Sequence, residues 1–262
     1  MDSLMGLMQE GHRIGLLRKF YSSMNNTTMK LECRGYGFDL LETMKENCKI
    51  DYCEQKRTIT KVKISDLHEG MFPGLLRGHI KGIWNICGYW NEKESQICAL
   101  NFDDDTEEKP NELAAVVATA SLMVEKVFGI PVMVVCSGKG YHLWIRTAEL
   151  VDNFLLRDFL LRLKERVFER LEADGVDLEG IKAYAYPMRD VKINSLRLFG
   201  STQIRTEEFC SIAASDSEYL LSEKESWDYL EKYLRDCKTT ETQILTAWGY
   251  LREYPLILKA GA

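Results

Sequence analysis

Three short stretches hold the residue types that phosphate and metal chemistry require. The first is "NFDDDTEEKP" (101–110), where an apolar strand-like run ends in Asp103, Asp104 and Asp105. Alternate side chains of a strand share a face, so Asp103 and Asp105 are expected on one side and Asp104 on the other. Two carboxylates crowded at a strand end repel unless a positive charge lies between them. A hard divalent cation, Mg²⁺ or Mn²⁺, is the usual answer. A solvated acidic turn is the plainer alternative, because Glu107 and Glu108 follow. Phe102 and the apolar run before it favour acids anchored at the edge of a core.

The second stretch is "VMVVCSGKGYHLWIR" (132–146), two apolar runs joined by Ser137, Gly138, Lys139 and Gly140. Glycines permit a tight turn and close backbone approach. Exposed N–H groups in such a turn make a concave anion site. Ser137 adds a hydroxyl, Lys139 a cation and His142 a ring donor. This is not a P-loop: GxxxxGK[ST] is absent, and a strand follows where a helix would be needed. The third stretch, "MRDVKINSLRLFGSTQIRT" (188–206), supplies Asp190, Lys192, Arg197, Ser201 and Arg205. Its arginines could clamp phosphates, although a charge-rich strand with a glycine turn would look the same. Together the three stretches make a nucleotidyl-transfer kit of metal-holding acids, a phosphate-cradling turn and a basic strand ending in Gly-Ser. Metal ions would activate the attacking hydroxyl and stabilise the leaving pyrophosphate.

The elements that must position these groups are read from periodicity. Residues 1–30 give an amphipathic helix broken at "NNTT". A helical pattern surrounds "FDLLETMKENC", and residues 58–64 alternate as a strand. "GIWNICGYW" and "SQICALNF" are expected to form a hairpin through "NEKES". Pro110 opens a helix that Gly129 and Pro131 end. A long helix is expected at about 153–173, and a strand at 193–199. In the tail, Ser222 and Glu225 form a capping box before Trp227, Leu230, Tyr233 and Leu234. The last helix carries Ile244, Leu245, Trp248 and Leu251. Strands and helices mixed, with hairpins present, predict an α+β fold.

A chain of 262 residues can bury a full core and suits one domain with an appendage. A net charge of −6 argues against indiscriminate polyanion binding but allows a local basic groove. Lys56, Arg57, Lys61 and Lys63 form one such cluster, and Lys182, Arg189, Lys192, Arg197 and Arg205 another; either could line a nucleic-acid groove. The N-terminal stretch reads as a helix rather than a signal peptide, and no run reaches membrane-spanning length, so the expected location is intracellular. None of the eight cysteines forms a CxxC pair. Cys33, Cys48, Cys53 and His68 could hold zinc, but the spacing is irregular and plain thiols are the favoured reading.

In order and type, these motifs resemble the archaeo-eukaryotic primase superfamily. "LNFDDD" is similar to that family's first motif, hydrophobic-D-x-D after a strand. "CSGKGYHLWI" is similar to its second, Ser-x-His, in a glycine-rich form. "LRLFGSTQIR" is similar to the R-L-P-G-S segment after the third. The resemblance covers about residues 80–206, and the early segment "LRKFYSSMNN…GFDLL" is weakly similar to the start of the archaeal catalytic subunit. It implies a primase-type core, an RRM-like sheet flanked by helices, over residues 1–215, with a helical extension at 216–262. It also implies template-directed primer synthesis on single-stranded DNA from nucleoside triphosphates. Asp103 and Asp105 would hold two divalent metals. Ser137, Gly138, Lys139, Gly140 and His142 would contact the triphosphate, with Arg197, Ser201 and Arg205 beyond them. The family's third acid normally lies about a dozen residues before the matching arginine, where this chain has Ala185 and Tyr186. Asp190 is nearer and Asp174 and Asp177 are farther, so Asp190 is taken as the third catalytic and metal-binding acid. A primase large subunit is a candidate partner. The alternatives are a non-catalytic accessory subunit that binds nucleic acid or a primase partner, and another metal-dependent phosphotransferase or nuclease.

Overall fold

The computed structural model describes residues 2–26, 28–33, 51–53, 58–67, 70–138, 140–188, 195–202, 208–213 and 219–253. The expected helix around "FDLLETMKENC" lies outside these residues. The fold is α+β, with two five-stranded antiparallel sheets flanked by helices. The first sheet contains β1 (Thr28–Cys33), β2 (Asp51–Cys53), β3 (Thr58–Lys63), β4 (Trp84–Tyr89) and β9 (Ser195–Arg197), in the order β2-β3-β1-β4-β9. The second contains β5 (Glu94–Asp104), β6 (Val132–Cys136), β7 (Gly140–Asp152), β8 (Ile181–Tyr186) and β10 (Ile212–Ala213), in the order β10-β6-β7-β5-β8.

The expected hairpin between "GIWNICGYW" and "SQICALNF" does not form: β4 and β5 belong to different sheets. Both edges of β4 are taken, by β1 (Met29 opposite Gly88) and by β9 (Arg197 opposite Cys87). Both edges of β5 are likewise taken, by β7 and β8. The polar link is a crossing between sheets. Trp90 turns inward and donates its indole N–H to the Ile97 carbonyl at 2.6 Å. Asn153 ties the link down through a 2.6 Å bond from Nδ2 to the Asn91 carbonyl. Strand periodicity does not distinguish a hairpin turn from such a crossing.

The helices are α1 (Asp2–Ser22), α2 (Met71–Ile80), α3 (Pro110–Leu122), α4 (Asn153–Ala173), α5 (Glu223–Asp236) and α6 (Glu241–Glu253). Helix α3 runs on through a π turn at Met123–Val127 before Gly129 takes a left-handed φ of 65°. The capping box is present: Ser222 caps the Glu225 N–H, and the Glu225 carboxylate accepts from the Ser222 N–H at 2.9 Å. Met29, Leu31, Ile86 and Leu196 of the first sheet share a core with Leu17 and Phe20 of α1, Met24 just after it, and Leu75 and Leu76 of α2. Cys98, Leu100, Phe102, Leu143 and Ile145 of the second sheet pack against Val116, Ala120, Phe159, Leu163 and Val167 of α3 and α4. The tail joins both cores, α5 through Trp227, Leu230 and Leu234, and α6 through Ile244, Ala247 and Leu251.

The second sheet is buried on both faces, which explains why β5, β6 and β7 read as nearly continuous apolar runs. Ile97, Ala99, Val135 and Trp144 on its other face belong to the first core. An aromatic seam joins the units there: Phe20 meets Trp144 edge-on at 5.0 Å, and Trp90 lies 5.9 Å from Trp144 and 5.3 Å from Tyr186. This face turns polar only toward the end of β5, at Asn101 and Asp103.

Candidate functional site

The three acids at the end of β5 have three different environments. Asp103 is half-buried and accepts a 2.7 Å bond from Asn101 Nδ2, on the same face two residues back. Asp104 is buried on the opposite face and organises the loop that leads into α3. Its carboxylate accepts from the Thr106 hydroxyl at 2.6 Å, the Thr106 N–H at 2.9 Å and the Lys109 N–H at 2.7 Å. These bonds, the Thr106 hydroxyl foremost, favour the charged form and hold its pKa below the usual carboxylate value. Asp105 is exposed and lies just past the strand, its N–H donating to the Gly180 carbonyl at 3.1 Å.

Lys182 lies near both outer acids and binds one of them. It stands directly opposite Asp103 in the β5–β8 ladder, and its Nζ pairs with the Asp105 carboxylate. That pairing raises the lysine pKa. Lys182 thus carries the ammonium that neutralises Asp105, while Asp103 is its neighbour across the ladder.

The "SGKGYH" segment forms the turn between β6 and β7. The chain closes through Ser137 N–H to the Gly140 carbonyl at 2.8 Å, with Gly138 at φ +93°. Ser137 is half-buried. Gly140 pairs with Asp103, and a Cβ built at Gly140 would lie 1.9 Å from the Phe102 carbonyl oxygen and 3.0 Å from Asp103 Oδ1. Only glycine lets the turn press this closely against the acids. His142 stands opposite Asn101 in the same ladder, so it shares their face. It is almost wholly buried, and burial together with the nearby Arg197 charge pushes its pKa down to about 3.

Arg197 comes from the other sheet. Leu196 and Leu198 point into the first core, which turns Arg197 to the opposite side of β9. Its Nη2 lies 3.8 Å from the Glu32 carboxylate, and its buried Nε has no hydrogen-bond partner among the described residues. Lys30 Nζ pairs with the same glutamate at 2.7 Å. The Arg197 charge reaches His142, Cys87 and Cys210, while Tyr186 is raised to about 12 by burial and then by the Asp103 charge and Cys87. Arg197 of the first sheet and His142 of the second are therefore close enough for their charges to interact, and the space between these polar faces is called the cleft. Glu32 and Lys30 were not singled out in the sequence. Their signal was the alternation of "TMKLEC", in which Met29 and Leu31 are buried.

Behind Arg197, His79 is fully buried in α2 and fixes the turn after β9. Its Nδ1 accepts from the Ile86 N–H at 3.0 Å, so Nε2 carries the proton and donates to the Phe199 carbonyl at 3.0 Å. Burial keeps the ring neutral, with a pKa near 4. Ser201, counted among the nucleotide contacts in the sequence, is fully buried beside the Cys210 thiol, and its carbonyl accepts from the Cys210 N–H at 3.0 Å. It closes the turn.

Lys139, Asp190 and Arg205 lie outside the described residues, as do Lys56, Arg57, Arg189 and Lys192 of the basic clusters. Asp174 and Asp177, the other candidates for a third acid, are engaged elsewhere, with Arg170 at 2.8 Å and Lys109 at 2.6 Å. Of the zinc candidates, Cys48 and His68 also lie outside. Among the described residues no three His, Cys, Asp or Glu side chains are grouped to hold a metal. Cys87, Cys98, Cys136, Cys210 and Cys237 are free thiols. No described helix is long and apolar enough to cross a membrane.

No protein-family model matches the sequence, and no curated protein matches it. Among solved structures the chain is similar to the polymerase domain from Mycobacterium tuberculosis ligase D in complex with DNA. The identity is 15% over 90% of this chain and 92% of that one, with a TM-score of 0.46. A likeness that loose assigns neither fold nor activity.

Two outcomes follow from this geometry. Gly140→Ala forces β7 away from β5 at Asp103 and is expected to lower the unfolding free energy by about 2 kcal/mol or more in urea titrations. The histidines make stability pH-dependent. Their folded pKa values, about 4 for His79 and about 3 for His142, lie below the ordinary 6.5. The unfolded chain therefore binds more protons, and stability falls as pH drops below about 6.5. Each ring is expected to contribute a loss of the order of 2 kcal/mol between pH 7 and pH 5. Urea midpoints at the two pH values, compared between the parent and His142→Asn, measure it: the variant's loss should be about half as large.

Proposed function

We propose that this chain is a primase or primase-polymerase catalytic domain of the archaeo-eukaryotic primase superfamily, joining nucleotides from nucleoside triphosphates on a single-stranded DNA template. The observation that carries this reading is the abutment of the "SGKGYH" turn on the acids, with Gly140 paired to Asp103. A triphosphate cradled by that turn would have its reacting phosphorus next to the carboxylates.

The proposed roles are these. The turn's N–H groups, the Ser137 hydroxyl and Lys139 hold phosphate oxygens. His142, neutral and buried, offers one ring N–H without adding charge. Arg197 supplies the cation from the opposite sheet, and Arg205 a further one. His79 and Ser201 hold the segment that presents Arg197. Asp103 and Asp105, with Asp190 as third acid, bind divalent metal. The described donors fit such an ion: they are hard carboxylate oxygens, one of them already paired with the Lys182 ammonium, and Mg²⁺ is commonly held by one or two carboxylates with substrate phosphates and water. When bound, Mg²⁺ or Mn²⁺ supplies activation of the attacking hydroxyl and neutralisation of the leaving pyrophosphate. The chain's own residues then provide alignment and fixed charge. A primase large subunit is a proposed partner.

One observation favours the second reading, a non-catalytic accessory subunit. The strand beside the acids, β8, bears Lys182 and no carboxylate, and that lysine already pairs with Asp105. A primer-synthesis assay separates the two. The purified protein is incubated with single-stranded DNA, labelled NTPs or dNTPs, and Mn²⁺ or Mg²⁺. Template-dependent product is expected, reduced about a hundredfold or more in Asp103→Asn and in Asp105→Asn. DNA binding without product under either metal would establish the accessory reading, and degradation of the template would point to a nuclease.

A further inference from the structure

We infer that Tyr184 is the stacking surface for the nucleobase of a nucleotide held in this cleft, an inference that rests on the nucleotidyl-transfer reading above. Strand β8 is the outer strand of its sheet. Its alternation buries Ile181, Ala183 and Ala185 against the helices and turns Lys182, Tyr184 and Tyr186 to the cleft side. Tyr186 is core, 7% exposed and packed on Trp90. Tyr184 is 38% exposed, two residues from the lysine that stands opposite Asp103 and directly opposite the Asn101 that holds Asp103. An open aromatic ring is thus set beside the acids.

The span is suited to a nucleotide. Strands β7, β5 and β8 are successive neighbours, so β8 lies about 10 Å from β7 across the end of β5. Phosphates at the "SGKGYH" turn on β7 and a base at Tyr184 on β8 would place the sugar and its linkage over Asp103. A tyrosine on an edge strand can also serve strand propensity alone. That role predicts no preference of the site for a base over bare phosphates. Stacking on a ring face tolerates every base, as a template-directed enzyme requires, because identity is then left to pairing with the template.

The test compares binding of ATP and of inorganic tripolyphosphate, each with Mg²⁺, by calorimetry on the full chain. The parent should bind ATP about tenfold or more tighter than tripolyphosphate. Tyr184→Leu should bring ATP down to the tripolyphosphate level and leave tripolyphosphate and the thermal midpoint unchanged, while Tyr184→Phe should retain the preference. If Tyr184→Leu keeps the preference for ATP, or Tyr184→Phe loses it, the stacking role is wrong and the nucleotide site stands. Equal affinities in the parent likewise overturn stacking. If the parent binds neither compound, the nucleotide site itself is wrong and stacking falls with it.

Discussion

The site depends on how closely β7 approaches β5 where Asp103 meets Gly140. A side chain at Gly140 would collide with the backbone of β5, so glycine there is a condition of the ladder. The ladder in turn delivers the hairpin turn to the acids. Asp104 acts from the other face: by capping the Thr106 and Lys109 N–H groups it turns the chain sharply at the strand end. Asp103 and Asp105 are thereby left facing the cleft side while the middle acid is consumed by structure. Three consecutive identical residues thus divide into one turn-former and two that can meet a cation.

The first sheet brings the opposing charge. Arg197 approaches the cleft from β9, held by the pairing with β4 and by the His79 bridge to the Phe199 carbonyl. Its charge disfavours protonation of His142 and His79, each already neutral through burial. The cleft therefore concentrates its fixed positive charge on guanidinium and ammonium groups and uses imidazoles as uncharged donors or tethers. Neither imidazole changes charge near neutral pH.

Much of this was legible in the sequence because the signals were local. The strand ending in "DDD", the glycine turn, the 153–173 helix and the Ser222 capping box all depend on neighbours within a few residues. What was not legible depends on pairing across the chain. The β4–β5 link has the composition of a hairpin turn, yet β1 and β9 satisfy β4 while β7 and β8 satisfy β5. Glu32 enters the cleft only because β1 lies beside β4, and His79 looked like an ordinary helix residue until its partners at Ile86 and Phe199 were in place. Ser201 fits a motif by position, but its turn folds it into the core.

The charge balance at the acids is the last point. Lys182 and Asp105 are each about half exposed, so their attraction is screened and weak. A pair of that kind holds Asp105 only loosely. If a divalent cation displaces Lys182 from Asp105, the freed ammonium stays on β8 between Asp103 and Tyr184, where a phosphate or a template backbone would meet it. The same lysine that favours an accessory reading is therefore compatible with a catalytic one, because an exposed pairing breaks easily and the residue can still meet an anion after it breaks.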